Sequence, residues 1–179
     1  MKNYLTSDPF QIGQSCGTKV ASENTPPTVD AGKDYVIPAQ TPFQLSADAL
    51  DIDDDELTYS WEQVDLGPAS YNLEEMQDDG LKPLFRSFIP REQANRVFPQ
   101  LASILSGNLV IGENYVTTTR ELNFKVTVRD NQGAIAVDAV KLQVLADSTP
   151  FQILTPAADE QWHKTATSSV SWDVANTRN

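Results

Sequence analysis

The stretch LDIDDDELTYSWEQ, residues 50–63, places four aspartates and two glutamates in fourteen positions. Carboxylates this close repel one another unless a cation joins them. Calcium suits such a group, because it takes about six to eight oxygens from carboxylates, amides, backbone carbonyls and water. The same run has a plainer reading, since Asp hydrogen-bonds its own backbone and favours solvated turns. Asp51, Asp53, Asp55 and Glu62 also fall at positions 1, 3, 5 and 12 of an EF-hand loop, but Glu56 stands where that loop needs glycine. Residues 57–63 moreover read as a strand. At about 3.3 Å per residue, Glu62 lies roughly 23 Å along the chain from Asp55 and cannot close the same site.

Other chemistry is thinly supplied. The chain has one histidine, His163, whereas a zinc peptidase needs a cluster such as His-Glu-x-x-His. Nucleophile pairs with histidine are equally thin, and there is no GxSxG elbow or glycine-rich phosphate loop. A glycosidase pair must face across a cleft, and nothing in the pattern points to one. The chain is therefore expected to be non-catalytic, without zinc. Tyr71 and Tyr115 are candidates for a carbohydrate- or protein-binding face, although such aromatics more often pack under loops. Cys16 is the one cysteine, so it is either a buried small residue or has its partner outside this chain.

The net charge of −12 argues against nucleic acid, which calls for clustered Lys and Arg, and against an anionic membrane surface. No apolar run reaches the length of about 18 residues needed for a membrane span. MKNYLTSDPFQIG has no apolar core for a signal peptide, so an exported protein would carry its signal elsewhere.

Several elements must position the acidic run. Residues 1–23 are polar and aperiodic, and NTPPT (24–28) reads as a stiff proline linker. Alternation of apolar and polar residues then marks half-buried antiparallel strands. They fall at about 29–37 (A), 42–48 (B), 57–64 (C), 121–129 (F) and 134–145 (G), with D and E somewhere in an irregular middle. In the last strand Ile135 and Val137 keep one phase and Val140, Leu142 and Val144 the other, which suggests a bulge near Asp138-Ala139. FRSFIP (85–90) suggests a short strand, LEEMQDDG (73–80) a loop or short helix, and FPQLASILSG (98–107) a helical turn ending at Gly107. The expected fold is all-β: an immunoglobulin-like antiparallel sandwich of about seven strands over 24–146, with Trp61 as the buried tryptophan of strand C. Residues 147–179 read as a linker and the truncated start of a second β-sandwich, with a C-terminal extension packed on the first domain as the alternative. In such a sandwich the B–C and F–G loops share one end, where strand A also enters. Asn24, Asp51, Asp53, Asp55 and Asp130 would meet there as candidate metal ligands, with Asp54 among them.

NTPPTVDAGKDYVIP, DIDDDELTYSWEQV and FKVTVRDNQG together resemble the PKD-like modules of bacterial secreted proteins. DYVIPAQTPFQL, LTYSWEQVD, FRSFIP and RVFPQL resemble the modules that follow the catalytic domain in bacterial reprolysin-type zinc metallopeptidases. The likeness covers about 24–146. It implies a secreted, extracellular, non-catalytic accessory module that acts as a spacer and engages a protein or polysaccharide substrate or a surface. Its partners would be an upstream catalytic domain, left through residues 1–23, and a downstream β module. Cys16 would then pair upstream. Calcium would be held by Asp51, Asp53 and Asp55, with Asn24 on the incoming chain. Two departures stand out: Asp54 replaces a usual glycine, and SWEQV replaces the Trp-Asp-Phe-Gly-Asp-Gly signature. An extracellular adhesin repeat, binding cells or polymer with no protease attached, is the alternative.

Overall fold

The computed structural model describes residues 23–178 apart from 148, 158, 165, 166 and 176. The tail 1–22, including Cys16, lies outside the described residues.

Long apolar-polar alternation builds the centre of the larger sheet. Strand β7 (Arg120–Arg129) pairs antiparallel with both β5 (Thr58–Gln63) and β8 (Ile135–Leu145), and β2 (Tyr35–Pro38) adds to β8 in parallel. The order is β2-β8-β7-β5. The facing layer is made of short pieces. Strands β3 (Phe43–Ser46) and β4 (Asp48–Leu50) are successive parts of one run; β4 pairs with β1 (Thr28–Asp30) and β3 with β6 (Asn95–Phe98), all antiparallel. The chain is thus an all-β sandwich. Its core is a ring cluster spanning both layers: Phe43 stacks on Phe98 at 5.2 Å, and Phe98 lies 4.8 Å from Phe124. Trp61 is buried as expected and donates its indole N–H to the Ala94 carbonyl at 2.9 Å.

Strand A crosses between the layers. β1 belongs to one sheet and β2 to the other, and Gly32 makes the crossing with φ +83°, a region open to glycine at little cost. The backbone N–H of Ala31, buried at this crossing, is received by Asp138 Oδ2 at 2.8 Å. This contact corrects the expected bulge. β8 runs in unbroken register past Asp138 and Ala139. The apparent phase slip arises because Asp138 takes an inward place to satisfy Ala31, while Ile135 and Val137 point outward and are 58% and 51% exposed.

The irregular middle also departs from expectation. Among the described residues no strand lies between β5 and β6, so strand D is absent there. FRSFIP forms only isolated bridges at its borders, Phe85 with Glu113 and Arg91 with Tyr59. Side chains pin this segment in place of a ladder. Gln63 Oε1 accepts the N–H groups of Leu84 and Phe85, Asp65 accepts from Asn123, and the buried Asp78 accepts from Thr117, Thr118 and Arg120. Residues 73–76 form a turn and 77–80 continue as an irregular loop. The short helix α1 (Leu101–Ser106) ends on Gly107 at φ +69°, as the sequence suggests.

Beyond the sandwich, β9 (Gln152–Thr155) and β10 (Ser171–Asp173) form an antiparallel pair. Val36 on the free edge of β2 exchanges both backbone hydrogen bonds with Arg178, at 2.7 and 2.9 Å. The side chains of Ile153, Leu154 and Trp172 remain exposed.

Candidate metal centre

Asp51 to Asp55 follow β4 directly, and Asp130 follows β7. Antiparallel pairing of β1 with β4, and of β5 with β7, brings the incoming chain, the 51–56 loop and the 130–133 loop to one end of the sandwich. The carboxylates of Asp51, Asp53 and Asp55 offer oxygens that all lie within 4.8 Å of one another. Asp51 is the anchor, only 9% exposed. Its Oδ1 accepts the Asp53 N–H at 2.9 Å, which closes the turn. Its Oδ2 is buried and has no hydrogen-bond partner among the described residues. A buried carboxylate oxygen without a donor is costly, and a cation would satisfy it.

Asp54 stands at φ +61°, the left-handed region that favours glycine. Asp tolerates this region better than most residues, so Asp54 holds a turn of the kind glycine often makes.

Asn24 and Asp130 meet each other at the same pole, and the Asp130 charge acts on Asp55 of the triad. Asn24 Nδ2 donates to Asp130 Oδ2 at 2.7 Å, while Asp130 Oδ1 accepts the N–H groups of Gln132 and Ala134, both at 2.9 Å. Burial works to raise the Asp130 pKa, but these donors, with the Gly133 N–H, outweigh it and hold the group below the usual carboxylate value. Asp130 therefore organises the 130–133 loop. Asp55 shifts the other way: burial, then the charges of Asp51, Asp130 and Asp53, raise its pKa against a hydrogen bond from Gln132. Four acidic groups thus act on one another at this pole.

Sequence reasoning did not foresee Thr25, whose backbone N–H donates to Asp53 Oδ2 at 2.6 Å. Main-chain donors leave no mark in residue type. Glu62 lies in β5, where it accepts from Ser87 Oγ at 2.7 Å and faces Lys125, away from any EF-hand role. Tyr115 is half-buried, whereas Tyr71 is 81% exposed.

No known family model matches the chain, and no curated protein matches it.

Proposed function

We propose that this chain is a non-catalytic accessory β-sandwich module of a secreted bacterial metallopeptidase, with calcium bound by Asp51, Asp53 and Asp55. The module spaces its neighbours and engages substrate or a surface. The observation that carries the calcium reading is the acidic triad, whose buried Asp51 Oδ2 has no donor among the described residues. The tie from Thr25 to Asp53 supports a mechanical role, because it joins the incoming chain to the loop. A bound cation would fix both at once and stiffen the joint at this end. The likeness of residues 24–146 to modules of reprolysin-type peptidases supports the placement in a peptidase.

Thermal unfolding tests the calcium reading. A ligand that binds only the native state at a hundredfold excess over its Kd stabilises it by about 2.7 kcal/mol, enough to raise Tm by several degrees. The rise is expected in millimolar calcium against EDTA, to be smaller in magnesium, and to disappear in Asp53→Ala. Equal melting temperatures in calcium and EDTA would remove calcium from the function.

A further inference from the structure

Three guanidinium groups gather around one ring on the flank where β5 and β6, the outer strands of the two layers, come together. The Cζ atoms of Arg96, Arg86 and Arg91 lie 4.4, 4.8 and 5.8 Å from the centre of the Phe88 ring. In a chain of net charge −12 with 13 Lys and Arg, three arginines thus share one ring.

Arg96 is neutralised from beneath. Its Nη2 donates to Glu113 Oε1 at 2.7 Å and to the Arg86 carbonyl at 2.7 Å, and its Nη1 donates to the Trp61 carbonyl at 2.6 Å. Glu113 is 0% exposed, and its second oxygen accepts the Gln100 N–H at 2.6 Å. Arg86 and Arg91 differ: both are exposed, and neither forms an ion pair among the described residues. Three guanidinium groups thus gather over one buried carboxylate. Arg86 and Arg91 are both held at the backbone. Arg91 and Tyr59 exchange hydrogen bonds at 2.7 and 3.0 Å, and the Arg86 N–H donates to the Gly112 carbonyl at 2.8 Å. The Arg86 stem lies so close over Gly112 that a Cβ there would meet the Arg86 Cβ at 2.7 Å.

A cleft of about 350 Å³ is lined in part by Tyr59, Phe88, Ile89, Arg91, Arg96 and Leu101; Arg86 is outside this lining but stands over the Phe88 ring that forms part of it. Ile89 is 85% exposed at its rim. A guanidinium stacked on a ring keeps its N–H edge free for a carboxylate. The Phe88 ring, crowded by cations, has little open face for a sugar, and a plain polyuronate carries no aliphatic side chain to cover Ile89 and Leu101. An acidic peptide has both parts.

We propose that this flank binds an acidic peptide segment, whose carboxylates pair with Arg86 and Arg91 while a neighbouring apolar side chain covers Ile89 and Leu101. Arg clusters are a recurrent solution for acidic motifs. The proposal deepens the substrate-engaging role given above and rests on that reading, but not on calcium.

The test is fluorescence anisotropy of a fluorescein-labelled peptide, Asp-Glu-Leu-Asp-Glu-Phe, with the full 179-residue chain in calcium and in EDTA. The net negative charge works against such a probe over the surface as a whole, and the variants locate any saturable binding. Binding is expected to weaken with salt. The double variant Arg86→Gln/Arg91→Gln is expected to lose about tenfold or more in Kd, which is about 1.4 kcal/mol. Lys141→Gln, on β8 and paired with Glu121, should leave affinity unchanged. Both arginines are exposed, and a melt of the same samples checks that the variants fold and whether calcium still raises Tm. Failure of the parent chain to bind the peptide, with its calcium response intact, would sink this proposal alone. It is also overturned if Asn-Gln-Leu-Asn-Gln-Phe binds as well, if polygalacturonate binds and the peptide does not, or if the double variant keeps full affinity.

Discussion

Thr25 and Asp53 are 28 residues apart and are joined by a backbone-to-carboxylate hydrogen bond of 2.6 Å. Through it the proline linker and the acidic loop behave as one piece of structure. The loop's charges then matter to the joint as well as to any ion. Without a cation, Asp51, Asp53, Asp55 and Asp130 repel at this end; burial first, and then these neighbouring charges, raise the pKa of Asp55.

A carboxyl raised above its unfolded value favours folding at pH below that value, and the contribution is lost as pH rises through the folded pKa. At neutral pH the metal-free pole therefore carries a penalty. Asp55→Asn is expected to raise the Tm of the protein in EDTA slightly at pH 7 and to remove the calcium-induced rise. Melts of both proteins in EDTA and in calcium check this, and a fall of Tm in EDTA would contradict it.

The ion pair of Glu113 and Arg96 locks the irregular middle to β6. Burial raises the Glu113 pKa although Arg96 and the Gln100 N–H oppose it, and burial lowers that of Arg96 although Glu113 opposes it. Removing one partner leaves a buried charge uncompensated. Arg96→Met is expected to destabilise by about 3–5 kcal/mol, read as a fall in the urea midpoint at unchanged m-value. The double variant Arg96→Met/Glu113→Leu should recover part of that loss.

Asp78 gives the acid dependence. Burial works against its charge, but the N–H groups of Gly80, Thr118 and Thr117 and the Thr118 hydroxyl outweigh it, and its pKa lies below the ordinary 3.8. A carboxyl lowered in this way favours folding above its unfolded pKa, and the contribution fades as pH falls through the folded value. Asp78→Asn is expected to be less stable than the parent at pH 6, with the gap closing below about pH 3.8. Urea unfolding at a series of pH values would show it.

Asp138 satisfies Ala31 where strand A changes sheets. Asp138→Ala would leave that buried N–H unpaired and is expected to cost about 1–3 kcal/mol. Hydrogen exchange should speed up at Ala31 more than in β7, because the loss is local.

The strands with long alternation were legible. Leu122, Phe124, Val126 and Val128 announce β7, and Leu57, Tyr59 and Trp61 announce β5, because one buried face leaves a period of two. Gly107 announced the end of α1. The segment 65–94 was not legible, because polar side chains such as Gln63, Asp65 and Asp78 fix it, and such ties have no period. Asp138 misled for a related reason, since an inward carboxylate reads as a break in an apolar face. In the site, the triad was readable as a run of aspartates, whereas the donors to Asp130 and Asp53 come from backbone groups and a distant asparagine. The arginine cluster escaped notice because Arg86, Arg91 and Arg96 meet around Phe88 only after the loop folds back on β5.

The most direct measurement is a calorimetric titration of calcium into the EDTA-treated, dialysed full chain, repeated with Asp51→Asn. The account predicts a saturable site in the parent, absent or weakened at least about tenfold in the variant, whose carboxamide offers one oxygen and no charge. No calcium heat in the parent, or the same isotherm in both proteins, would contradict the metal centre and leave the aspartates as a turn.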